Sequence, residues 1–173
     1  MKKKKRASAA VLAGILALSM CLAACRSKKI KPVAPEDFLK TVESHGFKVR
    51  KDLSSVAQLS YSADYTDTGI SVMFTYFSVE TEKEAGDMFD AYVQMSERIA
   101  EKVGVEGEIT KKDSYCYAKY DVSGSGRSSG QPDILVIKAE TMLLVCYTSL
   151  TDKSNEIRKA VLDDLGIKIE IKT

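Results

Sequence analysis

The chain of 173 residues has no Trp, one His and three Pro, and its formal net charge is only +2. Each scarcity excludes something. A single His removes every His-rich metal site, and no metal or other cofactor is expected. A charge near zero lacks the strong basic excess of an obligate nucleic-acid binder, so no nucleic-acid partner is expected. The length allows one domain with at most a tail, and is too short for a two-lobed solute-binding protein. What is present is ordinary globular composition, 45% hydrophobic and 29% charged, which excludes a disordered chain.

The charge is unevenly placed. Lys2 to Lys5 and Arg6 open the chain, and residues 7–24 carry no charge at all. A basic start, an apolar stretch and small residues at its end are the three parts of a secretory signal peptide. The competing reading is an uncleaved span, since 18 uncharged residues are near the lower limit for crossing a bilayer. The end of the stretch decides between them. Leu22-Ala23-Ala24-Cys25 resembles the bacterial lipobox. That resemblance implies a diacylglyceryl group on the Cys25 thiol and cleavage between Ala24 and Cys25. Cys21 would be discarded with the signal. Acyl chains anchor at about 0.8 kcal/mol per buried CH₂, so the expected location is the outer, extracytoplasmic face of the cytoplasmic membrane, with the membrane as partner through Cys25.

Three regions follow: a signal at 1–24, the lipidated Cys and a basic tether at 25–34, and one domain at 35–173. The tether holds Arg26, Lys28, Lys29 and Lys31 and no acid. Such a cluster is drawn to anionic headgroups by about 1 kcal/mol per charge. Residues 33–173 carry 17 basic and 24 acidic residues, so the body should stand off an anionic surface.

Hydrophobic periodicity predicts an α+β domain with a mainly antiparallel sheet of about five strands and three helices, in the order α-β-β-α-β-β-β-α. Pro35-Glu36-Asp37 opens a helix over 35–45 that Gly46 stops. Phe47 and Val49 form a brief extended piece. Residues 59–66 alternate, with Leu59, Tyr61, Ala63 and Tyr65 inward and Ser60, Ser62, Asp64 and Thr66 outward. Asp67-Thr68-Gly69 turns the chain into a strand that is apolar on both faces, Ile70 to Val79. Thr81 and Glu84 have capping-box spacing before a helix over 82–102. Strands follow at 115–123, 134–138 and 142–149, the last two hairpinned near Glu140. Thr151 or Asp152 caps a final helix, and Ile167, Ile169 and Ile171 alternate as an edge strand. Strand 71–80 and strand 141–150 each run into a Thr-acid-Lys helix start, an echo that raises internal duplication.

Candidate chemistry is sparse. Cys116 and Cys146 are the mature thiols besides Cys25. If strand 134–138 separates theirs, two strand spacings of about 9.6 Å exceed the roughly 7 Å limit for a bridge, so both are expected reduced and buried. A Cys nucleophile needs a base, and His45 at a helix end is the one His. The loop Gly124 to Gly130, GSGRSSG, lacks the Lys-Ser/Thr end of a phosphate loop. Asp64, Asp67 and Gly69 miss the EF-hand spacing. Glu80, Glu82, Glu84 and Asp87 crowd a helix start, which the dipole explains. With Cys116 and Ala118 inward, Tyr115 and Tyr117 point outward beside Lys119, and Arg127 tips the following loop. These four form the candidate ligand surface, of a kind that suits peptide or glycan; cross-strand packing under a helix is the competing reading.

In anchor, size and layout, from the lipobox through the Lys-rich stalk to a helix ending His45-Gly46-Phe47, the chain resembles small lipoproteins of Gram-positive bacteria. The resemblance implies no activity. The expectation is a tethered, non-enzymatic binding module for an envelope protein, peptide or glycan. The alternatives are an envelope hydrolase, which needs carboxylates converging on a cleft, and an accessory subunit of an envelope complex.

Overall fold

The structure, a computed structural model, describes residues 30–103, 108–119, 133–149 and 151–169. Among these, three helices pack on one antiparallel sheet of seven strands. Helix α1 is Pro35–Ser44, α2 is Glu82–Val103 and α3 is Asp152–Asp164. The strands are β1 (Lys48–Lys51), β2 (Leu59–Asp67), β3 (Ile70–Ser78), β4 (Glu108–Lys111), β5 (Tyr115–Lys119), β6 (Asp133–Ala139) and β7 (Met142–Thr148), in spatial order β1-β2-β3-β7-β6-β5-β4. The α+β class and the antiparallel sheet are as predicted.

The two extra strands lie at the two edges. β1 is the piece read as merely extended; its four residues pair from Lys48↔Asp64 to Lys51↔Tyr61. β4 pairs with β5 and was not foreseen. Both are four residues long and charged, as edge strands commonly are, and neither is long enough to show clear alternation. The predicted final edge strand is absent at Ile167–Ile169, and residues 170–173 lie outside the described residues.

Local chemistry sets the helix ends. Thr81 Oγ1 accepts from the Glu84 amide while Glu84 Oε2 accepts from the Thr81 amide, the reciprocal capping box. Thr151 Oγ1 accepts from the Ser154 amide, so Thr151 is the cap of α3. Helices α1 and α3 close alike. Gly46 and Gly166 take φ of 81° and 70°, and the next residue's amide returns to the helix, Phe47 to Val42 O and Ile167 to Leu162 O. In both, the residue after the glycine is buried.

Strand register sorts the side chains into two layers. On one face Ala63, Phe74, Cys146, Leu135 and Tyr117 share neighbouring rows and pack under α1 and α3. On the other face Val145, Val136 and Cys116 lie in one row under Phe89 and Val93 of α2. Thus α2 covers β6 and β7 on one side, while α3 covers β3 and β7 on the other. This answers the need for cover that the doubly apolar strands posed. It also disposes of the duplication. A twofold exchanging antiparallel β3 and β7 would keep both following helices on one face, and they lie on opposite faces.

The polar side of β2 is not simply solvated. Ser60 and Ser62 are 2% and 4% exposed, because Asp52 folds back over them: its amide donates to Ser60 O, and Ser62 Oγ donates to its carboxylate.

Candidate functional site

The residues that precede α1 are part of the body. Ile30 is buried, the Val33 amide lies 3.3 Å from Met142 Sδ, and the Tyr76 hydroxyl donates to Val33 O at 2.9 Å. Phe38 stacks on Tyr76 with ring centroids 5.1 Å apart. Residues 30–34, assigned to the tether by composition, therefore form a strap laid along α1. Their basic residue, Lys31, hid the apolar contacts that Ile30 and Val33 make.

Between the strap, α1 and the end of α3 lies a cleft of about 600 Å³. Its walls are Ile30–Ala34, Asp37, Lys40, Thr41 and Ser44 of α1, and Asp164–Gly166 with Lys168. The volume falls within the range of small-ligand sites. His45 Nε2 and Asp164 Oδ2 are 2.8 Å apart and tie the C-terminal ends of α1 and α3 together beside it. The lining mixes apolar side chains with ammonium and carboxylate groups. It suits a ligand that has both an apolar part and polar ends of either sign.

Of the predicted ligand surface, the structure overturns the main member. Tyr117 points not to solvent but into the α1/α3 layer, and is 5% exposed. Its hydroxyl donates to Asp133 Oδ2 at 2.7 Å, and the Arg158 guanidinium sits over its ring at 5.0 Å. Burial and the Asp133 bond push the Tyr117 hydroxyl up to about 12, against the opposing Arg158 charge. Tyr115 is half-buried on the same layer, so it too is packing rather than open surface. Lys119 ends β5, and Arg127 lies outside the described residues, as do Ala24 and Cys25. The structure thus gathers no aromatic ligand face on β5. The inward reading of Cys116 and Ala118 is right; the error lay in treating the opposite face as uncovered, when α3 covers it.

Two residues in this cluster were missed. Arg158 is 3% exposed and Asp133 1% exposed, and Arg158 Nη1 lies 3.4 Å from Thr148 Oγ1. A signal for Arg158 existed. Ser154, Arg158, Val161 and Leu165 are spaced as one helical stripe, and Ser154, Arg158 and Val161 are buried. A second cavity, of about 290 Å³, opens beside Arg158 between α3 and the Ile167–Ile169 segment. Asn155 Oδ1 is buried there with no hydrogen-bond partner.

The thiols behave as expected. Cys116 and Cys146 are both free and buried. β6 separates their strands, and they also face opposite layers, so a bridge is doubly excluded. Burial raises both thiols above their ordinary value, Cys146 strongly despite the Arg158 charge. His45 bonds Asp164 and not a thiol. Among the described residues no cluster of His, Cys, Asp or Glu could hold a metal ion, and no helix is long and apolar enough to cross a membrane.

No family model and no curated protein matches the chain. Among solved structures, a GTP binding regulator from Thermotoga maritima is 12% identical, covering 78% of this chain and 90% of that one, with a TM-score of 0.44. The extracellular domain of PknH from Mycobacterium tuberculosis is 17% identical, covering 80% and 79%, with a TM-score of 0.30. At these scores neither structure assigns a fold family or a role to this chain.

Proposed function

We propose that this chain is an extracytoplasmic lipoprotein, anchored to the outer face of the cytoplasmic membrane through diacylglyceryl-Cys25, whose body is a non-enzymatic binding module. The observation that carries the binding role is the cleft under the strap. It is walled by the residues that join anchor to body, and its mixed lining fits a short peptide better than a glycan. Ile30, Val33 and Leu165 offer apolar contact, while Lys31, Lys40, Lys168, Asp37 and Asp164 can meet termini or charged side chains of either sign. The occupant is accordingly a peptide segment, contributed by an envelope protein.

The test is amide chemical-shift mapping of the body with a mixture of short random-sequence peptides. Shifts confined to the strap, Thr41, Ser44 and Leu165–Lys168 support the reading. Saturating peptide with no shift in those residues rejects it.

One observation favours the hydrolase reading: two carboxylates, Asp37 and Asp164, line the same cleft. Both are solvent-exposed, and Asp164 is already bonded to His45. A general acid that holds its proton at neutral pH is usually kept in drier surroundings. Hydrolysis of envelope glycan that is abolished by Asp164→Asn would reverse this preference.

A further inference from the structure

Among the described residues two large hydrophobic side chains stand exposed to water, and they are three positions apart. Leu53 is 104% exposed and Val56 62% exposed, both in the loop joining β1 to β2. The loop is held in shape. Ser54 Oγ accepts from the Val56 and Ala57 amides, Asp52 is fixed by Arg50 and Ser62, and Gln58 donates to Glu80. An ordered loop that keeps apolar tips out of its own core presents them to something else.

We infer that this loop is a second membrane contact, with Leu53 and Val56 entering the lipid interface. The inference rests on the lipid-anchor reading above. Four residues separate Cys25 from Ile30, which is already docked on the body. Five residue steps span at most about 18 Å, while a body of this size is roughly 35–40 Å across. The tether is shorter than the body is wide, so it holds the body close to the bilayer even though the body's acidic excess favours standing off, and one of its surfaces faces lipid. The exposed tips Leu53 and Val56, with the exposed Lys48 and Lys51 on the same loop's flank, select which. The body as a whole is acidic, yet residues 48–58 hold Lys48, Arg50 and Lys51 against the single acid Asp52. Arg50 reaches both Asp52 and Asp64, and Lys48 and Lys51 are exposed. Basic residues flanking an apolar tip are the composition of an interfacial anchor.

The test uses the full chain purified from membranes and reconstituted in phosphatidylethanolamine–phosphatidylglycerol vesicles. An environment-sensitive fluorophore is attached at Leu53→Cys, or at the exposed α2 position Asp90→Cys as control. The buried native thiols do not compete. Leu53 supports no packing, so the variant folds. At position 53 emission moves to shorter wavelength and is quenched by acyl-brominated lipid, while position 90 does neither. Equal, water-like emission at both positions overturns the inference. So does a shift at 53 that grows with protein density but is not quenched by brominated lipid, which would assign the loop to a second copy of the chain. Intact mass lacking the diacylglyceryl group counts against the anchor reading alone. The same label on unacylated Cys25→Ser chain that begins after the leader, added to vesicles, then decides the loop, with Leu53→Ser/Val56→Ser expected to weaken binding by about tenfold or more, the equivalent of one buried apolar side chain.

Discussion

Under α2 the sheet presents aliphatic side chains and one thiol: Ile134, Val136, Leu143, Val145, Ala118 and Cys116. Under α1 and α3 it presents Phe74, Tyr76 and Tyr117 beside Leu135 and Leu144, with Asp133, Thr148 and Arg158 buried among them. The first layer is mainly aliphatic, and its buried polar side chains are small hydroxyls, Ser60, Ser62 and Ser96; apolar residues of the same volume would hold most of it. The second carries larger polar groups that must find partners in place, and the two cavities described above open on its side. One helix covers the first face, while the other two, with the strap, wall the larger cleft.

The largest expected effect tests the packing of the two layers. Phe74 is fully buried on a central strand and meets Phe47 at 5.7 Å between centroids. Phe74→Ala should cost about 3–5 kcal/mol, and Leu143→Ala in the α2 layer about 3 kcal/mol. Urea unfolding monitored by circular dichroism measures both. A larger loss for Leu143→Ala would make the α2 layer the dominant core.

Each layer also holds one cation over an aromatic ring, which gives a sharper contrast. Arg158 lies over Tyr117, and Lys138 Nζ lies 5.3 Å from the Phe89 centroid. Arg158 is nearly fully buried whereas Lys138 is half-exposed. Arg158→Ala should cost about 2–3 kcal/mol, combining a desolvated ring contact with a charged hydrogen bond. Lys138→Ala should cost no more than about 1 kcal/mol. Arg158→Lys should recover only part of the loss, because an ammonium cannot stack. Equal costs at 158 and 138 would remove the distinction between a polar and a mainly aliphatic layer.

In the α1/α3 layer alkali should act on two hydroxyls, above the range where the buried thiols of both layers start to contribute. Burial, with the Asp133 bond at Tyr117 and the Glu36 charge at Tyr76, raises both hydroxyls to about 12 from 10. Between those values the unfolded chain loses these protons and the folded chain keeps them. The folded state then binds more protons, so stability present below pH 10 falls as pH rises towards 12, by roughly 1–3 kcal/mol per hydroxyl. Tyr117→Phe should flatten part of that slope in urea titrations over this pH window. An unchanged slope would show that the Tyr117 hydroxyl does not titrate differently in the folded state.

The helices, the hairpins at Gly69 and Glu140 and the Thr81 capping box were legible because each rests on local spacing. So was the separation of Cys116 from Cys146, which followed from strand order. The edges of the sheet were not legible, since the four residues Glu108–Lys111, two of them charged, are too few to show a period. Nor was the site. Tyr115 and Tyr117 alternate as an outward face should, but alternation reports two faces without saying which is covered. Lys31 made the strap look like tether, although Ile30 and Val33 on either side are apolar. The cleft joins residues 30–34 to residues 164–168, and no spacing along the chain predicts that meeting.

The smallest effect concerns the strap itself. Helices α2 and α3 start on Thr81 and Thr151, whose side chains accept an amide of the first turn. Helix α1 starts on Ala34, whose backbone has cap geometry, φ −67° and ψ 146°, but whose side chain makes no capping bond. Pro35 at the first helical position has no amide to satisfy, so the free donors are those of Glu36 and Asp37. Ala34→Ser supplies an acceptor for them and should stabilise the protein by about 0.5–1 kcal/mol, whereas Thr151→Ala should lose about 1 kcal/mol. Thermal melts of both variants measure the pair. A gain at Ala34 means that α1 and the strap unfold together with the rest of the α1/α3 layer. No gain means that the start of α1 frays before the body unfolds, so that the strap wall of the cleft opens independently of the α3 wall.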